Sequence, residues 1–134
     1  ALRDARCDEP VVRAQLDALA TCNKAVLARG TCDADAHVVR SGILTPDEIA
    51  SQRSKGAVGV ICGRLIDGEG QPVVSAVEDR MIGVSLDQMR GKEMALLVAA
   101  GPGRARPARA AMKGGFVTHL ATSAQVAEEL LEII

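Results

Sequence analysis

Two arginines, Arg104 and Arg106, follow a Gly101-Pro102-Gly103 turn in the segment Met94–Gly115, MALLVAAGPGRARPARAAMKGG. A guanidinium presents a rigid fork of donors that matches phosphate or carboxylate, so the chemistry on offer is anion binding. The surrounding backbone points the same way. Met94–Ala100 is a continuous apolar run, the pattern of a parallel strand buried on both faces. The glycines break it, and Pro107, which lacks an N–H, fits only in the first turn of a following helix. That helix must begin within a residue or so of the turn, leaving the amides of Gly103, Arg104, Ala105 and Arg106 without intrahelical partners. Unpaired first-turn amides, the positive end of the helix dipole and the close approach a glycine permits all favour a phosphate or carboxylate.

A second group of polar side chains, Asp33, Asp35, His37 and Arg40, lies in Cys32–Ser41, which reads as a long loop after a short strand. Loops after strands in open α/β sheets are where ligands bind. His37 between these carboxylates could act as a base, but no serine elbow, P-loop or G-x-G-x-x-G fingerprint accompanies it. His119, the other histidine, falls in an apolar strand and reads as a hydrogen-bonded core or edge residue. Glu128-Glu129 and Glu78-Asp79 read as solvated surface carboxylates. No catalytic constellation is expected, and no cofactor. Cys7, Cys22, Cys32 and Cys62 lack the paired spacing of metal or redox sites and read as reduced thiols, so no metal is expected.

At 134 residues the chain is long enough for one domain that buries roughly two-thirds of its unfolded surface. Its apolar residues are mostly Ala, Val, Leu and Ile, and Phe116 is the only aromatic. Aromatic faces grip neutral sugars and single-stranded nucleic acid, so a small ligand here must be held by charge, hydroxyls and backbone. Sixteen basic against seventeen acidic residues give a net charge of −1, without the electrostatic footprint of a DNA- or RNA-binding surface. No run of about eighteen apolar residues and no signal-peptide layout occurs, which places the chain in the cytoplasm by default.

The elements that position these residues follow from periodicity. Pro10–Thr21 carries Val11, Val12, Leu16 and Leu19 near helical spacing and should pack on a sheet. Lys24–Ala28 is a strand closed by Arg29-Gly30-Thr31. Thr45-Pro46-Asp47-Glu48 is a capping box opening a helix that stops at Gly56. Ala57–Ile66 reads as one strand, Asp67–Gly70 as a hairpin turn, and Pro72 confines Val73–Val77 to an edge. Arg80–Val84 is a strand candidate, Ser85-Leu86-Asp87-Gln88 a second capping box, and Phe116–Ala121 the last strand after Gly114-Gly115 ends a helix. The final helix turns Val126, Leu130, Leu131 and Ile134 inward. Strands alternating with helices at this pitch mean a three-layer, Rossmann-like α/β fold with a mostly parallel sheet and helices on both faces.

From Ala57 to Leu131 the ordered segments GAVGVICGRLIDGEGQPV, DRMIGVSLDQM, LLVAAGPGR and AAMKGGFVTHLATS closely resemble the effector-binding domain of SorC-type sugar-responsive bacterial transcriptional regulators. Leu2–Leu44 fits the preceding part of that domain less specifically. The resemblance implies the sugar-phosphate isomerase and deaminase fold used as a ligand sensor, in which a phosphorylated sugar or relative alters how an attached helix-turn-helix domain engages its operator, within a homo-oligomer. Combined with the anion turn, it gives an effector and phosphate site of Gly30, Thr31, Gly59, Val60, Cys62, Gly101, Gly103 and Arg104, gathered on the rim at the strands' carboxyl ends. Two departures stand out. Arg104 occupies the position of the family's lysine, and Gly59-Val60-Ile61 replaces Gly-Asp-Ile, removing at Val60 a carboxylate that would accept from sugar hydroxyls. The resemblance also makes residues 1–134 a single domain, the C-terminal part of an effector-binding domain, with the DNA-binding domain and the first part of the effector domain absent. DNA would be reached only through that absent helix-turn-helix domain. The alternatives are an isomerase- or deaminase-like enzyme using Asp33, Asp35 or His37 as base, and an assembly module whose pocket has decayed.

Overall fold

In the computed structural model, which describes residues 2–134 with the side chain of Arg29 excepted, the chain runs α1 (Leu2–Cys7), α2 (Pro10–Thr21), β1 (Lys24–Thr31), α3 (His37–Arg40), α4 (Pro46–Ser54), β2 (Ala57–Ile61) and β3 (Arg64–Asp67). A 3₁₀ turn (Ala76–Asp79) follows, then α5 (Leu86–Met89), β4 (Met94–Ala99), α6 (Ala105–Lys113), β5 (His119–Thr122) and α7 (Ala124–Ile133). The five strands form one sheet in the order β3-β2-β1-β4-β5. β1 pairs with β4, and β4 with β5, in parallel, while β2 is antiparallel to both β1 and β3. β2 alone therefore runs against the other four.

Period-two alternation divides the side chains between two faces. One face carries Leu27, Ile61, Ile66, Ala95 and Leu97, covered by α6, α7 and α5 through Ala108, Ala111, Val126, Leu130, Leu86 and Met89, together with the fully buried Phe116 between α6 and β5. The other carries Val60 and Leu65, covered by Val38 of α3, Ile49 of α4, Leu44 and Val77. The α/β architecture with helices on both faces is as the sequence implies. Both capping boxes form: Thr45 with Glu48 at α4, and Ser85 with Gln88 at α5. Pro107 lies in the first turn of α6, and Gly115, at φ +77°, takes the left-handed position that ends it.

Several local expectations fail for physical reasons. α2 has no buried residue, and its main packing partner is α1. β4 is accordingly not buried on both faces, and Val98 and Val26 of β1, on the second face, are 47% and 69% exposed. The run Ala57–Ile66 is not one strand: it reverses at Cys62-Gly63, whose φ values of +50° and +80° are those a tight hairpin needs, and reverses again at Asp67–Gly70. Arg29, Gly30 and Thr31 do not close β1 but extend it, pairing with Ile61, Val60 and Gly59. Within Cys32–Ser41 the turn α3 interrupts the expected loop. Arg80–Val84 is no strand, because its carbonyls at Gly83 and Val84 accept from the buried Arg64 guanidinium, which also pairs with Glu78. Phe116 precedes β5, since its ring is drawn into the core and its amide still bonds to Ala111 of α6. On α7 only Val126 and Leu130 are buried; Leu131, on the helix's outer side, and Ile134, just past its end, face solvent.

Candidate functional site

The parallel pairing of β1 with β4 brings the ends of both strands to one rim, and the antiparallel β2 enters that rim from the other side. A cavity of about 560 Å³ opens there, on the face of Val60. Its base is Ala28, Gly30 and Val60; Thr31, Asp33, Asp35, His37 and Arg40 come from the end of β1 and from α3. Cys62 and Gly63 supply the hairpin turn, and Pro102 and Arg104 the turn after β4. Hydroxyl, carboxylate, imidazole and guanidinium groups thus converge on a partly apolar hollow, the usual make-up of a small-molecule site.

Of the eight expected site residues, Gly30, Thr31, Val60, Cys62 and Arg104 line the cavity. Gly101 and Gly103 flank the lining residue Pro102, at φ +91° and +68°; they shape the turn rather than wall the cavity. Gly59 is elsewhere. It pairs with Thr31 at the same rim but faces the opposite side, where a Cβ would lie 3.0 Å from Cβ of Pro107. Its lack of a side chain lets α6 lie against β2, a packing role. Arg106 also departs from expectation: it lines a separate hollow beside Glu129 and Glu132 of α7, so Arg104 alone of the two arginines serves the cavity. Asp33, Asp35, His37 and Arg40, read from the sequence as a ligand loop, do line it. Sequence reasoning missed Ala28, Ile43 and Gly63 as lining residues; the unexpected reversal at Cys62-Gly63 is what delivers the last of these.

Arg104 is the N-cap of α6 and the carbonyl it contributes accepts from Ala108. With Pro107 as the third helical residue, the first turn of α6 presents the amides of Ala105 and Arg106, next to the N-cap Arg104. The positive end of the helix dipole still lies beside Arg104. At Cys62, burial pushes the thiol above its ordinary range and the nearby Arg64 charge pulls it part of the way back. His119 is exposed, its Nδ1 lying 2.7 Å from Oγ1 of Thr118 at the sheet edge, and takes no part in the cavity. Among the described residues no group of three His, Cys, Asp or Glu is placed to hold a metal ion, and no helix is long and apolar enough to cross a membrane.

Residues 1–132 match the model of a family described as "Putative sugar-binding domain". The chain is 40% identical over 123 residues to the uncharacterised transcriptional regulator YjhU of Escherichia coli K12, covering 92% of this chain and 38% of that protein. It is 35% identical over 109 residues to the deoxyribonucleoside regulator of Bacillus subtilis, covering 81% of this chain and 34% of the other. The fold is that of the full-length sorbitol operon regulator SorC from Klebsiella pneumoniae, with a TM-score of 0.87 at 18% identity over 97% of this chain and 42% of that one. The chain spans well under half the length of these regulators, none of which is named as an enzyme. It belongs to the sugar-binding domain family of SorC-type transcriptional regulators.

Proposed function

We propose that this domain is the effector sensor of a sugar-responsive transcriptional regulator and that its effector is a small phosphorylated sugar or closely related metabolite. The observation that carries the reading is the meeting, at one sheet rim, of Arg104 at the start of α6 with Thr31, Asp33, Asp35 and His37. A phosphoryl group beside Arg104 gains charge-assisted hydrogen bonds and the favourable end of a nine-residue helix. The carboxylates accept from sugar hydroxyls, and Thr31 and His37 can donate or accept. With no aromatic side chain at the cavity, these polar groups carry recognition. In the intact regulator the domain works in the cytoplasm within a homo-oligomer, and DNA is engaged by a helix-turn-helix domain outside this chain.

Sugar phosphates binding the folded regulator raise its melting temperature by mass action, with the dephosphorylated sugars as reference. Arg104→Ala is expected to weaken binding of the phosphorylated effector by about 1.5–3 kcal/mol, the worth of a charged hydrogen bond, and to affect the unphosphorylated sugar far less. Equal losses for both ligands in titration calorimetry would assign Arg104 to the fold instead of the anion.

A further inference from the structure

The chemistry of the cavity base identifies the other end of the effector, given the anchoring of its phosphate at Arg104 proposed above. Every lining residue able to hydrogen-bond through its side chain belongs to the stretch Thr31–Arg40, to Cys62 or to Arg104. The base, Ala28, Gly30 and Val60, has none. Val60 pairs with Gly30 across the sheet, and a Cβ at Gly30 would lie 3.2 Å from Cβ of Val60. The Val60 isopropyl group therefore occupies the space beside Gly30 and closes the base with hydrocarbon. It is 4% exposed, and apart from Cys32 the buried cluster behind it is aliphatic, with Leu44, Ile49 and Leu65. A hydroxyl pressed onto this surface would give up water and find no side-chain partner there in exchange.

Strand order fixes which part of the ligand meets that surface. Arg104 follows β4 and Val60 stands on β2, with β1 between them, so the two lie on strands separated by two inter-strand spacings, about 10 Å. A five- or six-carbon sugar held by its phosphate at Arg104 spans this distance and brings its phosphate-distal carbons to Val60. We propose that the effector is a deoxy sugar phosphate, lacking a hydroxyl at a phosphate-distal carbon, and that Val60 is the residue that selects it. The remaining hydroxyls turn toward Asp33 and Asp35.

Titration calorimetry on the intact regulator tests this with matched pairs: 2-deoxyribose 5-phosphate against ribose 5-phosphate, and 2-deoxyglucose 6-phosphate against glucose 6-phosphate, with inorganic phosphate as the anion control. The deoxy member of at least one pair is expected to bind roughly 10- to 100-fold more tightly, the discrimination an apolar wall achieves against an added hydroxyl. Val60→Asn, which offers the missing partner, should bring that ratio close to one; Val60→Thr keeps the side-chain volume and should lower it in the same direction if the asparagine variant does not fold. Equal affinities within both wild-type pairs, or preference for the hydroxylated member in both, overturn the proposal while leaving the phosphate anchor standing. Failure of every sugar phosphate to bind defeats the anchor itself, and this proposal with it.

Discussion

Cys62 illustrates how a single residue can escape a reading of the sequence and still shape the site. Its φ of +50° places an L-residue in the left-handed region, at a cost of about 1–2 kcal/mol, and the compensation is the tight β2–β3 reversal it shares with Gly63. Neither Asn-Gly nor Asp-Gly marks this turn; the only sequence signal is a glycine inside an apolar run, which Ala57–Ile66 hid by reading as one strand. The reversal leaves the thiol in the wall of the cavity, where partial burial raises its pKa above the ordinary range and the Arg64 charge opposes that rise. Maleimide labelling of Cys62, followed by mass mapping across pH, should be slow at neutral pH and accelerate only above the ordinary thiol range. A sugar phosphate in the cavity should slow it further. Labelling at pH 7 as fast as a free model thiol would show that burial does not control this group.

At the scale of elements, the start of α4 was legible because its signal is local. The Thr45 hydroxyl accepts from the Glu48 amide at 3.1 Å, and the Glu48 carboxylate accepts from the Thr45 amide at 2.8 Å. Thr45→Ala is expected to lower stability by about 1 kcal/mol in denaturant titration. The Thr45 amide, with smaller help from Arg80, holds the Glu48 carboxyl below its usual value. A depressed folded-state pKa means stability that is present above the ordinary carboxylate range and is lost as the pH falls through the folded value. The stability difference between the wild type and Glu48→Gln should therefore shrink in acid; a pH-independent difference would remove the carboxylate from the cap. Gly70 was legible only as a turn residue, yet its location is set by tertiary packing: a Cβ there would come within 2.4 Å of the Gly114 backbone, at φ +77°. Gly70→Ala should destabilise by several times the ~1 kcal/mol of an ordinary glycine-to-alanine strain, because backbone must move. The same distinction explains the other differences. Caps and proline positions are short-range and were read correctly, whereas the docking of α2, the fate of Arg80–Val84 and the orientation of Gly59 depend on partners distant in sequence, such as Arg64 and Pro107.

For the whole molecule, the uneven covering of the sheet is the most consequential property. Over Lys24–Ala28, β1 is bonded to β4 on one side, while on its other side β2 begins to pair only at Arg29, so among the described residues that stretch has one strand neighbour. The adjoining face exposes Val26 and Val98. An unpaired edge beside an apolar strip invites a second copy, and sedimentation of this chain at rising concentration should reveal reversible self-association that Val26→Asp and Val98→Asp weaken. A concentration-independent monomer would show that the strip stays wet. Ala28 belongs both to this strip and to the base of the cavity, two residues along β1 from Val26. A metabolite in the hollow and a protein surface laid on the strip would therefore share a border of one methyl group. Whatever preference the bound metabolite has for the paired or the separate state, pairing must return to the metabolite as the same factor in affinity. Through Ala28 the sheet would then link occupancy to assembly without any hinge or moving lid.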